Sequence, residues 1–288
     1  MTHERLALQI SAGTDVGKQR DHNEDSAYYS PRLLAVADGM GGHAHGEVAS
    51  AAAVGALADL DASLAEHAAE HDGDLTSVDL AAALTGVIPE IRRRIDDLAA
   101  EDPTMIGMGT TLTALLFDGT RLAIGHVGDS RGYLLRAGEF RAITHDHTLV
   151  QSLLDEGKLT EEEAEFHPRR SVLVRALQTG STAEADVSVG AVQDGDRFLL
   201  CSDGLTDMVP VAEVQEVLAT VADRDAAIAR LIELANDYGG QDNITCLLAD
   251  AHPGEPEEAE GVVIGAAASR PTERPAAIPG WLEELLQD

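Results

Sequence analysis

Four acidic residues sit where apolar runs stop. Asp38-Gly39 ends Leu33-Leu34-Ala35-Val36-Ala37, and Asp129 interrupts the run across 124–135. Asp203-Gly204 ends Phe198-Leu199-Leu200-Cys201, and Asp242-Asn243 precedes the run across 244–248. Asp-Gly is also ordinary turn chemistry, and Asp118-Gly119 and Asp194-Gly195 are read as hairpin loops of that kind. If the four carboxylates converge, they repel. Two unit charges about 4 Å apart cost on the order of 4 kcal/mol at an effective dielectric near 20. Such a cluster needs protons or cations. All-oxygen donors without Cys or His spacing favour Mg²⁺ or Mn²⁺ over structural zinc. Two such ions about 3.5–4 Å apart lower the pKa of a shared water from about 15.7 to roughly 7, which makes hydroxide available at neutral pH. That is hydrolase chemistry.

Arg20-Asp21-His22-Asn23-Glu24-Asp25 offers the opposite charge. A guanidinium grips phosphate through two parallel hydrogen bonds, which an ammonium group cannot do. The competing reading is a surface ion pair between Arg20 and Glu24, four residues on.

The elements that must position these residues alternate between strand and helix patterns. Residues 32–37 read as a buried strand feeding a tight turn. Residues 47–60 and 80–98 carry apolar residues at helical spacing. Residues 111–117 and 122–127 read as a hairpin around Asp118-Gly119, extended into a meander by 133–136 and 140–143. A second hairpin is expected from 187 to 201 around Asp194-Gly195, then helices at 211–221 and 225–238 and a last strand at 244–249. Segregated antiparallel strands and two helix pairs predict an α+β fold, two sheets face to face with helices on the outer faces. Residues 6–251 form the domain, with a polar flap and a small helix across about 146–180. Residues 252–288 are an acidic, Pro-containing tail read as linker, with a short amphipathic turn near 278–286 whose docking place the sequence leaves open.

Composition narrows the partners. Lys and Arg number 20 against 51 Asp and Glu, a net charge of −31, which argues against nucleic acid or an anionic membrane surface as partner. The apolar stretches are broken by Asp, Glu or Gly, so no stretch of about 18 residues long enough to span a bilayer is expected. The first residues lack the basic-then-apolar shape of a secretory leader. Two cysteines, Cys201 and Cys246, suit a reducing cytoplasm and read as core fillers. A soluble cytoplasmic monomer is expected.

Taken together, Arg20-x-x-x-Glu24-Asp25, Asp38-Gly39-Met40-Gly41-Gly42-His43, Gly109-Thr110-Thr111, Gly128-Asp129-Ser130-Arg131, Ser202-Asp203-Gly204 and Asp242-Asn243 resemble the metal-dependent protein phosphatases, the type-2C (PPM) family. The similarity is to bacterial members that oppose serine/threonine kinases, and it extends over the whole domain. It implies a four-layer α-β-β-α sandwich with two to three Mn²⁺ or Mg²⁺ in a channel between the sheets. By the family pattern Asp38 bridges two ions, Gly39 offers its carbonyl, and Asp203 and Asp242 hold one of them. Glu24 and Asp25 orient the ligands through waters. Asp129 and Ser171 join Asp203 around a third, weaker ion. Arg20 holds the substrate phosphate, and His43 is the candidate proton donor to the departing alkoxide, with a metal-bound water as the alternative. The implied substrates are phosphoserine and phosphothreonine proteins, a serine/threonine kinase among them.

Other readings stay open at this level. A pseudophosphatase that binds phosphoproteins without turnover would lack a ligand Asp or the Arg, and all are present. Gly128-x-Ser130-x-Gly132 matches a serine-hydrolase elbow, a motif that needs a helix where strand pattern continues here. Neither cysteine has an Arg six residues on, which excludes a cysteine phosphatase. His145 and His147 resemble a metal pair but stand at the flap entrance, where structural polar contact is the favoured reading.

Overall fold

The run 33–37 sets the architecture. Leu33, Ala35 and Ala37 pack toward a helical layer, Leu34 and Val36 pack into a second core, and all are buried. A strand covered on both faces can be apolar throughout, so it has no alternation to read. In the computed structural model, which describes residues 5–41, 45–255, 259–269 and 280–286, this strand, β3 (Leu33–Ala37), lies inside a six-stranded antiparallel sheet. The order is β11 (Asp186–Ala191), β7 (Arg121–Val127), β6 (Leu112–Phe117), β3, β2 (Ser26–Tyr29) and β14 (Val262–Gly265). A five-stranded antiparallel sheet faces it, in the order β1 (Leu6–Asp15), β13 (Ile244–Pro253), β12 (Arg197–Cys201), β8 (Arg131–Arg136) and β9 (Glu139–Ala142). Short β4 (Gly39–Met40), β5 (Gly109–Thr110) and β10 (Leu177–Gln178) form a small third sheet.

Three cores follow from that alternation. Leu34, Val36 and Phe117 meet Phe198, Leu200 and Leu247 between the sheets. On the outer face of the six-stranded sheet, α1 (Gly46–Glu70) and α2 (Leu80–Glu101) bury Leu57, Leu84 and Ile91. On the outer face of the other, α6 (Val211–Thr220) and α7 (Arg224–Asp237) cover Leu199, Cys201, Cys246 and Leu248. The fold is the expected α-β-β-α sandwich. Asp79 and Asp223 accept the Ala82 and Ala226 N–H groups and so start α2 and α7. The flap carries two short helices, α3 (Leu149–Asp155) and α4 (Glu161–Glu165), and α5 (Asp203–Thr206) is a single turn after β12.

Several expectations are corrected. β11 and β12 are not a hairpin: β11 pairs with β7, and β12 lies between β13 and β8 in the other sheet. The meander is broken too, since β7 and β8 belong to different sheets. The Asp194-Gly195 turn instead serves a crossing, where the buried Asp196 carboxylate takes two Arg136 bonds at 2.6 Å each. Turn chemistry is local and does not choose which sheet edge a strand joins. α1 is long and apolar enough to span a bilayer, against the sequence expectation. Here it is a core helix, and its Asp61 is buried under Tyr28 Oη at 2.6 Å and Ser30 Oγ at 3.0 Å. The domain edge read at 251 falls inside β13, and Val262–Gly265 adds a strand beside β2. Its short Val-Val-Ile run is masked in the sequence by the Glu- and Pro-rich residues before it. Farther on, α8 (Gly280–Leu286) docks on α2, with the Trp281 ring 2.4 Å from where a Cβ on Gly86 would lie.

Candidate active site

Strand direction brings the acidic residues to one end of the sandwich. β3 runs toward Asp38, and antiparallel β2 runs away from Asp25, with Ser26 opposite Ala37. In the facing sheet β12 ends before Ser202 and Asp203, β13 begins after Asp242 and Asn243, and Cys201 lies opposite Cys246. The chain passes from β7 to β8 through Gly128, Asp129 and Ser130 at that same end. Side-chain phase completes the convergence. Leu34 and Val36 face the inter-sheet core, so Asp38 continues on that face, and Ala27 sets Asp25 there in the same way.

Hydrogen bonds then fix the carboxylate-bearing backbone. The Thr110 hydroxyl and the Thr111 N–H donate to the Asp38 carbonyl, each at 2.9 Å. The Asp38 N–H donates to Thr111 Oγ1 at 3.0 Å, and that hydroxyl meets Ser130 Oγ at 2.7 Å, linking Asp38 to the turn that carries Asp129. Ser202 Oγ donates to Asp25 Oδ2 at 2.7 Å and accepts the Thr245 N–H at 3.0 Å. Asn243 Oδ1 accepts the Glu24 N–H at 2.7 Å, while its amide donates to the Val16 and His22 carbonyls. Sequence reasoning assigned Thr111, Ser202 and Asn243 no task. Ser202 and Asn243 stand beside Asp203 and Asp242, and Thr111 stands in Gly109-Thr110-Thr111; their place in the segments that carry the family resemblance was their only signal.

Close approach explains one glycine. A Cβ on Gly204 would lie 2.0 Å from the Asn243 carbonyl oxygen, a backbone atom that cannot swing away. Gly204→Ala is therefore expected to lose roughly 2–3 kcal/mol in denaturant unfolding and to part Asp203 from Asp242. An unchanged midpoint would refute the contact.

Electrostatics reports what the nest needs. Burial, then Asp203, Asp25, Asp129 and Asp242, hold the Asp38 carboxyl well above the usual range. Burial pushes Asp25 up to about 8 against the Ser202 and Thr245 hydrogen bonds. Burial followed by Asp203 and Asp146 pushes Asp129 up to about 8. Asp203 is pushed up to about 7 by burial, Asp207 and Asp242. Its Oδ1 is buried without a hydrogen-bond partner among the described residues. Crowded carboxylates that resist ionising, one with an orphaned oxygen, are what a hard divalent cation relieves. The donor set fits Mn²⁺ or Mg²⁺.

The remaining candidates are distributed around this nest. Arg20 pairs with Asp242 at 2.6 Å rather than with Glu24, which is bonded by His22 at 2.9 Å; the Arg20–Glu24 surface pair is thus replaced. His22, Glu24 and Glu47 bring one ligand atom each within 4.8 Å of one another, a grouping the sequence did not suggest. Ser171 is exposed on the return of the flap and lines a cavity of about 380 Å³ with Asp129, Asp203 and Arg131. Gly39 is buried in β4, where a Cβ would lie 2.3 Å from the Gly46 carbonyl oxygen. His43 lies outside the described residues. Ser130 is fully buried on Thr111 and is followed by β8, not by a helix, so the serine-hydrolase elbow is not formed.

Fold and site together define an α-β-β-α protein with a nest of buried carboxylates at one end of its facing sheets. The family described as protein phosphatase 2C matches residues 13–249. The serine/threonine protein phosphatase PstP of Mycobacterium tuberculosis is 45% identical over 266 residues, which are 92% of this chain and 49% of that protein. The serine/threonine phosphatase Stp of Listeria innocua is 41% identical over 242 residues, 82% of this chain and 93% of that one. The crystal structure of the PstP catalytic domain in complex with two manganese ions superposes with a TM-score of 0.76 at 45% identity, covering 86% of this chain and 99% of that one. The chain belongs to the protein phosphatase 2C family. It spans about half the length of the mycobacterial relative and nearly all of the Listeria one.

Proposed function

We propose that this chain is a metal-dependent protein serine/threonine phosphatase that hydrolyses phosphoserine and phosphothreonine monoesters. The observation that carries the reading is the meeting of Asp25, Asp38, Asp129, Asp203 and Asp242 at one end of the sandwich, all acting on the Asp38 carboxyl or on one another. Asp38, the Gly39 carbonyl, Asp203 and Asp242 would hold two Mn²⁺ or Mg²⁺ ions, and Asp129 with Ser171 would complete a third site beside Asp203. When bound, these ions supply Lewis acidity that activates water and neutralises phosphate charge.

The chain's own groups do the rest. The Asp25 carboxylate is held by Ser202, the Glu24 backbone by Asn243 and the Glu24 carboxylate by His22, so both acids would be set to orient the ligands. Arg20, half exposed at the rim and bonded to Asp242, would turn its fork onto two phosphate oxygens once Asp242 is otherwise engaged. His43 remains the candidate for returning a proton to the leaving alkoxide. The substrates would be phosphoproteins, a serine/threonine kinase among them, and neither nucleic acid nor membrane is a partner. The net charge of −31 sets copies of the chain against one another, which supports a monomer, and two thiols buried in the core support the cytoplasm.

The test is phosphate release from a phosphothreonine peptide. Release is expected to need Mn²⁺ or Mg²⁺, to stop on adding EDTA, and to fall at least about 100-fold in Asp203→Asn. Metal-supported peptide binding without release would instead make it a pseudophosphatase.

A further inference from the structure

His147 is 2% exposed and belongs to no part of the chemistry above. Its contacts are unusual in where they go. Its N–H donates to the Gly128 carbonyl at 2.7 Å, and its Nδ1 accepts the Gly128 N–H at 3.1 Å. One residue therefore holds both polar groups of Gly128, the residue before Asp129. Gly128 has little freedom of its own: its φ is +111°, and a Cβ there would lie 2.6 Å from the Thr111 side chain. The His147 carbonyl accepts the Val174 N–H at 2.8 Å, and the adjoining Thr148 bridges to Leu173, so the same residue anchors the flap's return just after Ser171.

The ring chemistry is set by these partners. An amide N–H can only donate, so Nδ1 must carry the lone pair and Nε2 the proton. Nε2 faces Asp186 Oδ2 at 3.0 Å, and Arg175 holds the other oxygen of Asp186 at 2.6 Å. Asp186 begins β11, where the chain leaves the flap. The entrance, the return and the exit of the flap thus meet at His147.

We propose that His147 is a positioning residue that holds Asp129 and Ser171 in register across their shared cavity, so that the flap and the weakest cation site move as one. This rests on the phosphatase reading for the role of Asp129 and Ser171; the clamp on Gly128 does not.

Two near-isosteric substitutions separate the halves of the ring. His147→Asn keeps an acceptor near Nδ1 and loses the donor toward Asp186. His147→Gln keeps a donor near Nε2 and loses the acceptor for Gly128. In metal-free protein, amide exchange at Gly128 and Asp129 is expected to quicken about 100-fold in His147→Gln and His147→Leu, and to stay within about threefold of wild type in His147→Asn. In calorimetric Mn²⁺ titration the weakest binding event is expected to lose about 10-fold in affinity in the Gln and Leu variants, with the tighter events unchanged. Asp186→Ala, at a half-exposed side chain, is expected to give a smaller quickening of about threefold. The proposal is overturned if Gly128 exchange matches wild type in every variant, or if Asn behaves like Leu, which would mean packing alone. Should His147→Leu fail to fold, the Asn and Gln pair decides. A wild-type protein that releases no phosphate would sink the phosphatase reading, and the exchange measurement would still judge the clamp.

Discussion

Asp38→Asn is expected to abolish phosphate release, with kcat/KM falling at least about 1,000-fold, while making the metal-free protein more stable. Both effects have one cause. Among the neighbouring carboxylates the Asp38 carboxyl is opposed by burial and by Asp203, Asp25, Asp129 and Asp242. An amide of the same shape removes that repulsion and keeps the backbone bonds from Thr110 and Thr111, which do not touch the side chain. The same amide is a poor ligand for two hard cations, so the variant should lack the rise in melting temperature expected of wild type with Mn²⁺. Melting in EDTA at pH 8, repeated with excess Mn²⁺, reads both effects together with the peptide assay. A variant that melts lower than wild type in EDTA would refute the crowding argument even if activity were lost.

The second large effect is a pH dependence that metal should erase. Asp25 and Asp129 titrate near 8 and Asp203 near 7 in the folded chain, against an ordinary value of 3.8. A carboxyl whose folded value is raised binds more protons in the native state than in the unfolded one, so stability falls as pH rises toward the folded value. The metal-free protein should therefore lose roughly 5–10 °C in melting temperature between pH 6.5 and 8.5. The window starts at 6.5 because burial pushes His126 down to about 4 from 6.5, which acts in the opposite sense in more acidic solution. Saturating Mn²⁺ requires ionised ligands and should flatten or reverse the slope. A metal-free protein whose melting temperature rises across that interval would mean the carboxylates are ionised and apart.

Much of the proposed site was legible because a centre for hard cations would constrain residue type. Asp38, Asp129, Asp203 and Asp242 each stand at the end of an apolar run, and strands buried on both faces made those ends easy to find. Arg20 was legible as a cation near the nest, but its partner was misjudged: helical spacing to Glu24 means nothing in a segment that is not a helix. Thr111, Ser202 and Asn243 were not legible, since one polar side chain among many acquires a task only when a partner from another strand arrives beside it. β14 was hidden for a similar reason. Four residues after an acidic stretch become a strand because the β2 edge is open to receive them.

By itself the sequence determined the local commitments: where β3 and β12 end and β13 begins, where the long helices start, and which carboxylates stand at those points, because burial and backbone geometry act over a few residues. Tertiary structure alone decided which sheet each strand joined. It sent β7 and β8, and β11 and β12, into opposite sheets, since strand edges pair by what lies open across the fold and not by the turn between them. Those crossings are what carry Asp129 between the sheets and bring His147 onto Gly128.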